Sequence, residues 1–277
     1  MSKIKVAVIG DFMQDIYWIG EASRLSPEAP IPVVKIKETK DFPGGAGNVA
    51  ENLEALGVDV TWFIAGLKPK KNRLMVGDHQ LARWDEYDRC LPVDKFKDSL
   101  QDFNAIIVAD YGKGAINQDV IDYIKSHKEI VPIFVDTKGD PGVWSGVATA
   151  VFPNAKEYAQ FSTEYLNGDF LVIQKRGHCG ISMRRRVLDH DKTIWELESP
   201  SQARFVKSVN GAGDTVIAAF VYKYLRLHKN PNIQRTEAGF WGEVLDFANA
   251  AAAVSVEHEY TYAPTLKEVE ERFYGNY

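Results

Sequence analysis

The chain has 277 residues, enough at about 150 per domain for one large domain or two small ones. Hydrophobic residues make up 45% and charged residues 26%, which excludes a disordered, collagen-like or coiled-coil chain. A net charge of −5 gives no overall basic field for nucleic acid, and two cysteines, Cys90 and Cys179, are too few for a disulfide scaffold or a cysteine zinc site.

The N-terminal MSKIKVAVIGDFMQD reaches acidic residues too soon for a signal peptide. No stretch approaches the roughly 20 apolar residues of a membrane span, so a cytoplasmic protein is expected. In chain order, an apolar run at 5–9 predicts the first buried strand. The region 17–42 breaks the pattern, with an extended stretch at 31–37. A helix is predicted over 47–56, then a second extended stretch at 73–85 with Gly77-Asp78 as its turn. The two extended stretches suggest a small antiparallel sheet apart from the main layer. Buried strands follow at 105–109, 132–135, 148–152 and 170–173, with helices at 118–127, 155–161, 213–227 and 242–258. Strands alternating with helices imply an α/β fold with a mainly parallel sheet covered on both faces.

Ligands of such sheets bind beyond the carboxyl ends of the strands. Asp11 and Asp15 follow the first strand; Asp110, Asp136, and Asn154 with Glu157 follow later ones. One such residue is often only a helix cap, but several strands, these four among them, aiming polar groups at one edge favour a shared site. Two segments stand out further. Ser208-Val-Asn-Gly-Ala-Gly-Asp-Thr215 runs straight into an apolar helix. Its glycines allow close approach of a ligand, and the helix start offers free N–H groups suited to phosphate. Spacing alone leaves Asp214 open between helix cap and functional group. Pro43-Gly-Gly-Ala-Gly-Asn48 likewise opens a helix, and by itself is equally compatible with a plain tight turn. The histidines show no metal spacing.

These two segments, in this order, resemble the N- and C-terminal signatures of the ribokinase-like (PfkB) carbohydrate kinases. A narrower resemblance, to the heptose 7-phosphate kinases of ADP-heptose biosynthesis, rests on several stretches: Gly10-Asp-Phe-Met-Gln-Asp15, Ser23-Arg-Leu-Ser-Pro-Glu-Ala-Pro-Ile-Pro-Val-Val34, His79-Gln-Leu-Ala-Arg-Trp-Asp85, Asp110-Tyr-Gly-Lys-Gly114, Val135-Asp-Thr-Lys138 and Pro153-Asn-Ala-Lys-Glu157. The resemblance implies one three-layer α/β domain over 1–277 with lid segments at about 16–42 and 72–86. It implies ATP and Mg²⁺ as cofactors and phosphorylation of D-glycero-β-D-manno-heptose 7-phosphate at O1. Asp214 would be the general base, and Gly211, Ala212 and Gly213 the anion hole. Asp11, Asp15, Gly44, Gly45, Asn48, Asp110 and Lys113 would bind the sugar. Asn154, Glu157, Lys175, Gly177 and Asn249 would bind the nucleotide, with Mg²⁺ held through water near Asn154 and Glu157. For the phosphate on the sugar, Lys113, Arg83 and Arg24 are candidates. A homodimer through the lid is expected, and no nucleic-acid or membrane partner. The alternatives are a kinase for another sugar or a nucleoside, and a non-catalytic nucleotide- or sugar-binding homologue.

The sequence departs from that pattern in places. After residues 60–66 it passes almost directly to Lys70, where family members usually place another helix and strand, so an edge unit of the sheet is expected to be missing. Ser208 and Asn210 stand where family members commonly carry Asp and Thr beside a monovalent-cation site, which implies weak or absent potassium activation. The stretch 250–259 lacks the Gly and Lys common at the nucleotide rim, and the chain carries no nucleotidyltransferase domain, so a stand-alone kinase is expected.

Overall fold

A computed structural model describes residues 3–63, 68–93, 100–161, 170–186, 193–229 and 236–275. Its elements run β1 (Lys5–Gly10), β2 (Phe12–Leu25), β3 (Pro32–Gly45), α1 (Ala46–Ala55), β4 (Asp59–Phe63), β5 (Lys70–Val76), β6 (His79–Glu86) and β7 (Ala105–Asp110). They continue with α2 (Gln118–Lys125), β8 (Ile133–Thr137), β9 (Ala150–Val151), α3 (Ala155–Gln160), β10 (Leu171–Lys175), β11 (Ile181–Arg186), β12 (Thr193–Ser199), α4 (Ala212–His228), α5 (Glu237–Val256) and α6 (Leu266–Tyr274).

Eight strands form the main sheet in the order β12-β11-β10-β9-β8-β7-β1-β4. Pairing is parallel from β4 to β10 and antiparallel at β11 and β12. Alternate residues of the parallel strands feed two cores. Val6 and Val8 of β1 pack with Phe134, Phe152, Phe220 and Leu245 on the side of α1, α4, α5 and α6. Ala7 and Ile9 pack with Ile133, Val135, Val120 and Trp144 on the side of α2. The sheet ends at β4, and only residues 64–69 separate that edge strand from β5.

The second sheet has four strands in the order β3-β2-β5-β6. Two extended stretches suggested a purely antiparallel sheet; the observed one is mixed, because β2 pairs with β5 in parallel. The reason lies in the main sheet. β1 runs into β2 through one residue and β4 leads on to β5, and β1 and β4 are parallel neighbours, so their continuations are parallel too. The stretch predicted at 31–37 is the outer part of β3, which reaches Gly45 and pairs along β2. The strand predicted at 148–152 is only Ala150–Val151.

Candidate active site

Gly45 closes β3 with φ +60, and a Cβ there would meet the carbonyl oxygen of Asp11 at 2.4 Å, so only glycine fits where β3 turns into α1. Gly211 takes the same left-handed backbone (φ +78) at the start of α4, and a Cβ would meet Asn48 Nδ2 at 2.4 Å. The two turns touch through Asn48, whose amide donates to the Gly211 carbonyl (3.3 Å) and to Asp214 Oδ2 (2.8 Å). No side chain caps α4; the Ala212 N–H donates to the Val209 carbonyl at 3.4 Å, and the N–H groups of Gly213 and Asp214 are left for a ligand.

Asp214 is not a helix cap. It sits in the first turn of α4, is 9% exposed, and accepts from Asn48 and from the Tyr111 hydroxyl, which donates to Oδ1. Burial pushes its carboxyl up to about 6, against the two hydrogen bonds, which favour the charged form. Tyr111 is raised well above its ordinary value, first by burial and then by the Asp214 charge, so it remains the donor of the pair.

Two cavities meet here, and Tyr111, Lys138, Gly213 and Asp214 line both. The larger is about 540 Å³. Its walls include Ile181, Val206, Val209, Val216 and Val256, and Lys175 reaches the start of α4, where a Cβ on Gly213 would meet its Nζ at 3.3 Å. There Lys175 is paired with buried Asp136 (2.6 Å). The smaller is about 250 Å³ and is lined by Met13, Asp15, Gly45, Asn48, Lys71, Arg73, Asn210 and Thr261 among others. Its Asp15 is held by Arg73 at 2.5 Å.

The sequence-predicted residues divide accordingly. Asp15, Gly45 and Asn48 line the smaller cavity, and Asn154, Lys175, Gly177 and Asn249 the larger, with Gly211 and Gly213 at the smaller and Ala212 and Gly213 at the larger. Gly44 lies just outside, and a Cβ there would meet Asp15 Oδ2 at 2.4 Å. Asp11 does not reach either cavity. It is fully buried, and its carboxylate accepts the backbone N–H groups of Tyr111, Lys113 and Ala115, which shapes the loop after β7. Asp110 accepts from Thr137 Oγ1 and the Gly112 N–H, and neither it nor Lys113 lines a cavity.

Asn154 and Glu157 form a reciprocal capping box on α3, and Glu157 also pairs with Lys138. Asn249 donates to Ser199 and Pro200, fixing the end of β12 against α5. Tyr111, Lys138, Lys71 and Arg73 carried no individual assignment in the sequence. For Tyr111 and Lys138 the strand-end rule was the available signal, since they follow β7 and β8 directly.

The larger cavity fits a nucleotide: apolar walls suit a base, and an uncapped helix start beside Lys175 suits phosphates. Among the described residues no group of three or more His, Cys, Asp or Glu side chains is placed to hold a metal ion. Among the described residues no helix is long and apolar enough to cross a membrane.

Residues 85–268 match the family model described as pfkB family carbohydrate kinase. The bifunctional protein HldE of Shewanella piezotolerans is 32% identical over 78% of this chain and 54% of its own length, and that of Shewanella baltica is 34% identical over 78% and 55%. The chain thus spans about half the length of the curated relatives it matches. Among solved structures, the fold is similar to Arabidopsis thaliana ribokinase complexed with ribose and ATP (TM-score 0.71, 16% identity, 99% of both chains). It is also similar to Escherichia coli phosphofructokinase-2 in complex with substrates and products (TM-score 0.69, 15% identity, 99% of both chains). The fold is therefore ribokinase-like, and the chain belongs to the pfkB family of carbohydrate kinases.

Proposed function

We propose that this protein transfers the γ-phosphoryl group of ATP to O1 of D-glycero-β-D-manno-heptose 7-phosphate in the cytoplasm. The observation that carries this reading is the position of Asp214. A buried carboxylate lies where an apolar, helix-capped cavity meets a polar one, so an acceptor hydroxyl and a phosphate chain can approach it from opposite sides. The choice of sugar rests on the 23–34, 79–85 and 110–114 stretches that resemble the heptose kinases, and on relatives named HldE.

ATP supplies the phosphoryl group; Asn154 and Glu157 would hold Mg²⁺ through water, and the ion would neutralise charge on the phosphates. Asp214 takes the proton of the O1 hydroxyl as the new O–P bond forms and the bond to ADP breaks. Asn48 and Tyr111 hold its carboxylate in place by donating one hydrogen bond to each oxygen, which leaves lone pairs free for the sugar. The backbone N–H groups of Gly213 and Asp214 hold the negative charge on the transferred group, joined by that of Ala212 once it leaves its long bond to Val209, and Lys175 and Lys138 stand beside it. Asp15 and Arg73 form one wall of the sugar side.

The lid carries exposed Leu25, Ile31, Ile36, Leu81 and Trp84, and the protein pairs through this face. Trp84→Glu should shift the solution mass at micromolar concentration from dimer toward monomer. A coupled ADP assay against a panel of sugars, sugar phosphates and nucleosides tests the activity. Heptose 7-phosphate should give the highest kcat/KM. ADP release faster with a nucleoside or another sugar would move the substrate, and none with any acceptor would favour a binding protein.

A further inference from the structure

The inner face of the lid holds a charge pattern that its own pairs do not use up. In the β2-β5-β6 register, Asp15 lies across from Lys71, Lys71 from Asp85, and Arg73 from Arg83. Residues two apart on a strand share a face, so these five charges lie together, three positive and two negative. Both carboxylates are taken by arginines. Arg73 Nη1 donates to Asp15 Oδ1 at 2.5 Å, and Arg83 donates through Nε and Nη2 to Asp85 at 2.9 and 2.7 Å. Lys71 sits between the two acids and is bonded to neither.

Lys71 is half-buried, lines the smaller cavity, and has no hydrogen-bond or ion-pair partner among the described residues. The other charged groups there are engaged: Asp15 by Arg73, Lys138 by Glu157, Asp214 by Asn48 and Tyr111. Burial, ahead of the neighbouring charges, pushes the Lys71 ammonium below its ordinary value, while the nearby Asp15 and Asp214 carboxylates favour its charged form without bonding to it. The residues considered from sequence for an anion are placed less well. Arg83 is already paired with Asp85, Lys113 lines neither cavity, and Arg24 lies near the far end of β2.

We propose that Lys71 receives the phosphate monoester of the sugar and sets the preference for phosphorylated over unphosphorylated acceptors. The inference rests on the kinase reading above. An ammonium is a point charge without a fixed fork, so it can meet a phosphate on a flexible sugar tail, and binding would neutralise the charge left on this face.

The test compares wild type, Lys71→Met and Lys71→Arg with heptose 7-phosphate and with the same heptose lacking the phosphate. Lys71→Met should raise KM for heptose 7-phosphate by roughly 10- to 100-fold, the range for losing a hydrogen bond to a charged group. It should leave kcat near wild type and the unphosphorylated sugar unaffected, and Lys71→Arg should restore part of the preference. Lys70→Met, on the opposite face and paired with Glu86, should change neither. An unchanged KM, or equal losses on both sugars, would overturn the assignment. If neither protein turns over any sugar, the kinase reading fails. Calorimetric titration with heptose 7-phosphate then decides on Lys71: weaker binding to Lys71→Met supports it, and equal or undetectable binding to both proteins overturns it. Melting curves separate these outcomes from loss of the fold.

Discussion

The two cavities that meet at Asp214 are built from different parts of the chain. The larger is lined by strand ends of the main sheet, the start of α4 and residues of α5, and brings one buried pair, Lys175 with Asp136, beside the open backbone N–H groups of the α4 start. The smaller lies between the second sheet and the starts of α1 and α4, and its side chains are bonded to one another across elements: Asp15 to Arg73, Asn210 Nδ2 to the Tyr17 hydroxyl at 2.8 Å, Asn48 to Asp214. A site made of backbone at a helix start tolerates side-chain drift. A site made of side-chain pairs between elements changes with each substitution, which is where substrate choice would be expected to reside.

That contrast is broken most severely at the shared group. Asp214→Asn should lower kcat by about 10²- to 10⁴-fold, the usual worth of a general base, while ATP still binds and protects against thermal unfolding. Stability should not fall. A carboxyl raised from 3.8 to about 6 in the fold makes the charged form costly. This group therefore subtracts stability above about pH 6, and the loss disappears as pH falls toward 4. The neutral variant should melt no lower than wild type at pH 7, as differential scanning calorimetry would show.

Gly211→Ala comes next. It places a Cβ against Asn48 Nδ2 in a left-handed backbone, so a stability loss of about 1–3 kcal/mol in urea unfolding and a lower kcat are expected together. Tyr111→Phe should act more gently. The hydroxyl's hydrogen bond lowers the Asp214 pKa, so removing it should move the acid limb of kcat/KM, expected at about pH 6 in wild type, to higher pH. A limb that stays in place would mean that another group is titrating. The smallest effect concerns the loop before α4. Ser208 Oγ accepts from the Asn210 N–H at 3.2 Å, and the Asn210 amide is turned to Tyr17. Replacing sodium by potassium should therefore leave the rate nearly unchanged.

Much of the backbone-built half was legible in the sequence. Glycines preceding apolar helices mark left-handed turns, and both Gly45 and Gly211 prove to sit where a side chain has no room. Buried strands announce themselves by apolar runs ending in polar residues; of the two acids named there, Asp136 lines the larger cavity and Asp110 lines neither, while Tyr111 and Lys138, one and two places further on, line both. The fate of those polar residues was less legible. Asp11 turns back onto N–H groups about 100 residues away in sequence, and nothing local to Gly10-Asp11-Phe12 encodes that choice. The parallel β2–β5 pairing was hidden for a similar reason. It is inherited from the β1–β4 neighbourhood, whereas sequence shows only two extended stretches. The isolation of Lys71 follows from that register and from two arginines winning the carboxylates beside it.

The most direct measurement is a structure of the protein with a non-hydrolysable ATP analogue and heptose 7-phosphate bound together. The account predicts the nucleotide in the larger cavity with its terminal phosphate at the start of α4. It also predicts the O1 hydroxyl about 2.6–3.2 Å from an Asp214 carboxylate oxygen. A sugar seated with no hydroxyl near Asp214, or a nucleotide bound away from the α4 start, would contradict it.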